Sequence, residues 1–150
     1  MIRLNLPSCE IKIGGTREKP AVWDVLRRKY VALTPEEWVR QHFVNYLIHD
    51  KGYPQALMSN EVTLTCAGKR LRADTVVYDR DLRARVIVEY KAPSVELTQR
   101  VLDQIAVYRL LTGADVIIVS NGIRHFCCET NGNGGFTEDI PDWDSLAFNQ

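Results

Sequence analysis

Asp74, Glu89 and Lys91 are the residues of this 150-residue chain whose types and spacing could do chemistry. They fall on two stretches that read as a hairpin, Arg72 to Tyr78 and Arg85 to Lys91, joined by the polar loop Asp79-Arg80-Asp81-Leu82-Arg83. Pairing Tyr78 with Arg85 and counting back sets Asp74 opposite Glu89. Side chains two apart share a face of a strand, so Lys91 projects beside both carboxylates. Like charges directly opposite destabilise a sheet, and buried carboxylates are costly unless neutralised. Something positive should therefore reside there. Mg²⁺ suits the position, being a hard cation commonly held by one or two carboxylates together with waters and phosphate oxygens. Such an ion would polarise a phosphorus–oxygen bond and stabilise its leaving oxygen. Lys91 would orient an attacking water and offset charge building on the phosphate. The expected chemistry is phosphodiester hydrolysis, and it requires all three side chains to share one accessible pocket. Taken alone, the three residues also fit a surface ion-pair ladder.

The elements that must position them are readable to different degrees. Thr34-Pro35-Glu36-Glu37 is a helix start, with Thr34 as N-cap, Pro35 in the first turn and Glu37 as the reach-back member of a capping box. The helix runs to about Asp50 and stops at Lys51-Gly52. Its apolar stripe is Val39, Phe43, Tyr46 and Leu47. That phase puts Glu36 along the buried side and Glu37 toward solvent. A strand at Glu61 to Thr65, a turn at Ala67-Gly68-Lys69, and strands at Arg70 to Tyr78 and Val86 to Lys91 follow. Apolar residues then recur at helical spacing from Val95 to Leu111, ending at Thr112-Gly113. Val116 to Val119 reads as a buried strand, closed by Asn121-Gly122 and paired with Ile123 to Cys128. The first thirty residues offer only a possible strand at Glu10 to Ile13, a Gly14-Gly15 turn and a short element around Val22 to Tyr30. Asn131 to Gly135 reads as a turn or loop. A strand, a long helix and a buried strand in succession make a parallel crossover, and the preceding hairpin makes the sheet mixed.

Arg72-Ala73-Asp74 together with Val88-Glu89-Tyr90-Lys91-Ala92-Pro93 resembles the bipartite D…(D/E)-x-K motif of restriction-endonuclease-like nucleases. Within that superfamily the chain is similar to the N-terminal nuclease domain of the type I restriction enzyme R subunit. The likeness continues through Thr34-Pro35-Glu36-Glu37-Trp38-Val39-Arg40-Gln41, Gly52-Tyr53-Pro54, Gln104-Ile105-Ala106-Val107-Tyr108 and Val119-Ser120-Asn121-Gly122. It implies an α/β fold with a restriction-endonuclease-like core, a central mixed β-sheet flanked by α-helices. It also implies that Asp74, Glu89 and the backbone carbonyl of Tyr90 bind Mg²⁺, for which Mn²⁺ would substitute, and that Lys91 is the catalytic lysine. A further acid belongs on the first helix. Either Glu36 or Glu37 matches, and helical phase favours Glu36. Gln104 and Tyr108 match a Q-x-x-x-Y element whose amide sits near the catalytic lysine and the nucleic-acid backbone. Arg40, one turn after Glu36, could instead pair with it.

The sequence departs from the family in two ways. Ala73 stands where the motif has proline, which leaves the carboxylate in place. No G-x-x-x-x-G-K-[ST] element is present, nor a helix-turn-helix or zinc finger, so motor function and sequence choice would come from helicase or specificity partner proteins. Cutting both strands with one site per copy would call for a homodimer. DNA is the expected partner, although nothing in the pattern separates DNA from RNA, or cleavage at ends from cleavage inside.

Composition sets the outer bounds. Hydrophobic residues are 45% and charged residues 25%, with 19 basic and 19 acidic side chains, so overall basicity carries no argument for nucleic acid. The length suits one domain over 1–150, burying roughly 68–70% of its extended surface. The basic residues do cluster, at Arg27-Arg28-Lys29, Lys69-Arg70-Arg72 and Arg80-Arg83-Arg85. Lys69 and Arg70 are taken as nucleic-acid contacts, while the first cluster is either a solvated edge or a phosphate contact. No stretch has signal-peptide character or approaches the roughly 18 apolar residues of a membrane helix, so no membrane role is expected and the cytoplasm is the expected location. Four cysteines without a C-x-x-C pair and three scattered histidines give no zinc site.

Overall fold

The computed structural model describes residues 1–130 and 134–150. Most of the expected turn at Asn131 to Gly135 lies outside the described residues.

The chain opens with a small antiparallel sheet of β1 (Ile13–Gly15), β2 (Pro20–Asp24) and β3 (Lys29–Ala32), in that order. The possible strand at Glu10 to Ile13 begins only at Ile13, and the short element around Val22 to Tyr30 is two strands joined by a turn. Gly14 and Gly15, expected in a turn, lie in β1, and the reversals fall at residues 16–19 and 25–28. These strands have three to five residues, too few for a clear alternation.

Helix α1 (Pro35–His49) begins and ends as its capping residues require. Thr34 takes extended backbone and its hydroxyl accepts the Glu37 N–H at 3.1 Å. Gly52, at φ 73°, follows the last turn. Val39, Phe43 and Leu47 are fully buried as expected. The buried face is wider than one stripe, however, and includes Glu37, Arg40, Gln41, Val44 and Asn45. The N-terminal strands add to the cover: Val25 N–H reaches the Gln41 side chain at 3.4 Å, and Arg27 bonds Glu37.

The central sheet has the order β4 (Met58–Cys66), β5 (Lys69–Tyr78), β6 (Ala84–Tyr90), β7 (Val116–Ser120), β8 (His125–Glu129). All neighbours are antiparallel except β6 and β7, which are parallel and joined through α2 (Gln99–Leu110). The mixed α/β sheet with flanking helices is thus the expected one. Ala67 and Gly68, at φ 51° and 78°, turn β4 into β5 with two left-handed central residues. Between β5 and β6 the pairs are Thr75–Val88, Val76–Ile87 and Val77–Val86; a slip then pairs Tyr78 with Ala84, not Arg85. Helix α2 starts four residues later than its apolar pattern suggests, because Thr98 is its N-cap and accepts the Val101 N–H.

Strand alternation divides the core. Val77, Val86, Val88, Tyr90, Val116, Ile118 and Cys127 pack with α1, while Ile117, Val119 and Phe126 pack with Leu97 and Leu102 on the α2 side. The C-terminal segment closes the α1 side with Ile140 and the fully buried Leu146, and Trp143 meets Tyr53 at 5.2 Å. Among the described residues no helix is long and apolar enough to cross a membrane.

Candidate active site

A cleft of about 430 Å³ opens where α1, β3, β4, β5 and β6 meet; Asp74, Glu89 and Tyr90 line it together with Glu36, Glu37, Arg40, Glu61 and Arg72. Continuing the β5–β6 register by one residue brings Asp74 opposite Glu89, as the count from sequence requires. Each carboxylate is tied by one oxygen. Tyr90 N–H donates to Asp74 Oδ2 at 2.9 Å, and Arg109 Nη2 of α2 donates to Glu89 Oε2 at 2.6 Å. Asp74 Oδ1 and Glu89 Oε1 accept no hydrogen bond among the described residues.

Burial pushes the Asp74 carboxyl above its ordinary range, against the Tyr90 N–H and the charge of Arg40. Glu89 is raised too, by burial first and by the Asp74 charge second, against Arg109 and Lys91. Two desolvated carboxylates that disfavour each other's charge form a site for positive charge. Among the described residues no three His, Cys, Asp or Glu side chains form a metal cage. The cleft thus presents two carboxylates that each keep one oxygen without a hydrogen bond among the described residues, donors of the kind that hard divalent ions take.

Around this pair the cleft is held by arginine. Arg40 donates Nε to Glu37 Oε2 (2.9 Å), Nη2 to Glu37 Oε1 and to Glu61 Oε1 (both 2.7 Å), and Nη1 to the Asp74 carbonyl (2.8 Å). That last bond pins β5 to α1 at the residue bearing the carboxylate. Glu61 also accepts Arg72 Nε at 2.7 Å, from a left-handed backbone (φ 57°) that interrupts the ladder between Asn60–Thr75 and Val62–Ala73. A second chain of bonds secures Tyr90. Its hydroxyl donates to Thr75 Oγ1 (2.9 Å), Thr75 donates to Asn60 Oδ1 (2.6 Å), and Asn60 Nδ2 donates to the buried Asp24 carboxylate (3.0 Å). Asp24 further accepts the N–H groups of Leu26 and Arg27 and the Arg27 side chain.

The sequence profile of the family described as "Type I restriction enzyme R protein N terminus (HSDR_N)" matches residues 35–142. The chain belongs to this family. Among solved structures, it is similar to a fragment described as the HsdR subunit of a type I restriction enzyme from Vibrio vulnificus YJ016. The TM-score is 0.59 at 20% identity, over 78% of this chain and 25% of that one. The chain therefore spans about a quarter of that fragment, and the likeness is one of fold. Looser likenesses are to a DUF820 protein from Anabaena variabilis ATCC 29413 (TM-score 0.48, 11% identity, 83% of this chain and 80% of that one) and to the DrdV–DNA complex (TM-score 0.41, 18% identity, 69% and 9%). A comparison with curated sequences finds no significant match. The α/β fold with a central mixed sheet flanked by helices is the one that the family resemblance implied.

Some residues singled out from sequence converge and others do not. Asp74, Glu89 and Tyr90 share the cleft, and Glu36 stands exposed in its lining. Lys91 follows the end of β6, half-buried, with its N–H on the Ser120 carbonyl; it is close enough to favour the charged form of Glu89 but is not among the cleft-lining residues. The helical-phase argument for Glu36 over Glu37 is overturned. Glu37 is the buried acid (5% exposed), because Arg27, Arg40 and Gln41 surround it. Burial opposes its ionisation, but those hydrogen bonds and charges outweigh it and hold its pKa below the ordinary range. Its side chain is occupied there and does not reach back to the N-cap, and Arg40 pairs with Glu37, not Glu36.

Gln104 and Tyr108 are exposed on α2, outside the cleft, and no hydrogen bond joins Gln104 to Lys91 among the described residues. Leu102 and Arg109, two turns apart, are the buried positions of this helix. Lys69 and Arg70 are exposed at the tip of the β4–β5 hairpin, with Arg70 on the strand face of Arg72 and Asp74. Arg109 and Glu61 are the site residues that the sequence reading missed, and neither carried a usable signal. Glu37 was named as the alternative helix acid, and its i, i+3 spacing to Arg40 was the signal for the pair it makes.

Proposed function

We propose that this chain is a Mg²⁺-dependent nuclease domain that hydrolyses phosphodiester bonds of DNA. The observation that carries the reading is the pair Asp74 and Glu89, adjacent in the sheet, raised in pKa by burial, both lining a cleft that also holds arginines, and each with one oxygen free of hydrogen bonds among the described residues. Asp74, Glu89 and the Tyr90 carbonyl would hold the ion, with Mn²⁺ able to substitute and exposed Glu36 supplying a further acid at the rim. When bound, the ion supplies Lewis acidity at the scissile phosphate and a counter-charge for the leaving oxygen. The Lys91 ammonium, whose charge already favours the ionised form of Glu89, would orient the attacking water and offset negative charge on the phosphate. Water adds to phosphorus and gives up one proton to solvent, the bond to the leaving oxygen breaks, and that oxygen takes up a proton from solvent.

Arg72 and Arg70 on β5, with Lys69 beside them, and Gln104 with Tyr108 on α2, would meet the backbone of DNA away from the reacting phosphate. A homodimer, or helicase and specificity partners, would supply double-strand cutting and sequence choice, and the cytoplasm is where these partners would be met. A second reading, a nucleic-acid-binding or assembly module that keeps the fold without turnover, is favoured by the place of Lys91 outside the cleft lining.

Incubating supercoiled plasmid and single-stranded DNA with Mg²⁺ or Mn²⁺ separates the two. Cleavage by the natural chain that is lost in Asp74→Ala and Lys91→Ala supports the nuclease. Equal cleavage by all three proteins means a contaminant, and no cleavage with salt-sensitive DNA binding intact supports the binding module.

A further inference from the structure

Two buried arginines flank the carboxylate pair, and they are bonded very differently. Arg40 uses all three nitrogens, on two carboxylates and a carbonyl. Arg109 is as deeply buried (5% exposed), yet only its Nη2 has an acceptor; Nε and Nη1 find none among the described residues. A buried guanidinium with two unmet donor nitrogens is a poor way to stabilise a fold, since each unmet donor retains its desolvation cost. The cost is accepted where the guanidinium lies 4.8 Å from the centroid of the half-exposed Tyr108 ring, and the one hydrogen bond it makes among the described residues is a short one to Glu89 Oε2. That bond engages Oε2 and leaves Oε1 without a hydrogen bond among the described residues, as the Tyr90 N–H does for Asp74 through Oδ2.

We infer that Arg109 is a positioning residue for a divalent cation: it tethers one oxygen of Glu89 so that the other is held toward the ion shared with Asp74. The inference rests on the cation site proposed above and assigns it a further participant, reached from α2, that does not itself touch the ion. Carboxylates that ligate metals are commonly steadied by such hydrogen bonds, and losing the bond typically weakens metal binding or activity about 10- to 100-fold. Arg109 suits the task better than lysine would, because its planar fork holds one geometry where an ammonium is a mobile point charge.

Calorimetric titration of Mn²⁺ into the whole chain tests this without any turnover, using the natural protein, Arg109→Gln, Arg109→Lys and Glu89→Gln, with melting temperatures recorded in parallel. The expected result is Mn²⁺ binding by the natural protein, lost in Glu89→Gln, weakened about 10- to 100-fold in Arg109→Gln and partly recovered in Arg109→Lys. If Arg109→Gln does not fold, Arg109→Lys decides, with a measurable weakening expected. Binding by the natural protein that is unchanged or tighter in the Arg109 variants, whatever their melting temperatures, overturns the inference and leaves the cation site standing. No Mn²⁺ binding by the natural protein overturns the site itself and the inference with it.

Discussion

Glu36 and Glu37 are identical in type and adjacent in sequence, yet one is exposed at the rim of the cleft and the other is sealed under three hydrogen-bonding side chains. Removing one member of a buried ion pair typically costs about 3–5 kcal/mol, because the partner is left uncompensated. Glu37→Ala should therefore destabilise the fold by about that amount in urea unfolding, and Glu36→Ala should stay within about 0.5 kcal/mol. Acid stability follows from the same network. For Asp24, burial opposes ionisation, but hydrogen bonds from Arg27, Asn60 and Leu26 outweigh it and set the folded pKa below its ordinary 3.8. A depressed carboxylate contributes stability that is complete above its unfolded pKa and lost as pH falls through the folded one. Melting temperature should accordingly drop below about pH 4, and Asp24→Asn should flatten that fall while lowering stability at neutral pH. The Asp74–Glu89 opposition was reached by counting from Tyr78–Arg85, a pair that the slip replaces with Tyr78–Ala84; the count holds because the slip is confined to the loop end, beyond Val77–Val86. Glu37 was misread because phase on one helix names a buried face only when one neighbour is assumed, and β2, β3 and their turn are a second. Arg109 and Glu61 were invisible for a different reason: each draws its role from a partner at least 20 residues away, and Glu61 also from a left-handed backbone.

At the scale of elements, the cleft exists because β5 is longer than its pairing with β6. The β4–β5 ladder runs from Met58–Val77 out to Cys66–Lys69, whereas β6 accompanies β5 only from Thr75 to Tyr78. The unaccompanied part is a two-stranded arm, and strand alternation puts Arg70 and Arg72 on its Asp74 face. Four residues of strand separate Arg70 from Asp74, about 13 Å, a reach suited to a neighbouring phosphate of the bound strand. Arg70→Ala should therefore weaken DNA binding across sequences and lower the slope of log affinity against log salt by about 1, measured by filter binding at several salt concentrations. A slope equal to that of the natural chain would remove the arm from the DNA path. The hairpin was readable because alternation and the Ala67-Gly68 turn agree. The start of α2 was not, since Val95 and Leu97 continue the helical apolar spacing while lying before the Thr98 cap. The exposure of Gln104 and Tyr108 shows the same weakness: a spacing within one helix fixes that the pair shares a side, not which side meets the sheet.

Taken whole, the molecule resolves its zero net charge into a pattern. Acids gather at the cleft as Glu36, Glu37, Glu61, Asp74 and Glu89, and the arginines among them are unequally engaged, Arg40 fully and Arg72 from a side chain 73% exposed. The sum over the sequence hides this because pairing is a property of the fold: Glu37 and Glu61 are already offset by Arg40, while Asp74 and Glu89 share one cationic bond, to Arg109. The whole account turns on positive charge completing that last pair. A crystal structure of the chain grown with Mn²⁺, with anomalous scattering recorded, tests this most directly. The account predicts an anomalous peak between the Asp74 and Glu89 carboxylates, about 2.0–2.3 Å from one oxygen of each, and no such peak in Asp74→Asn. A peak elsewhere in the molecule, or none at saturating Mn²⁺, would contradict it.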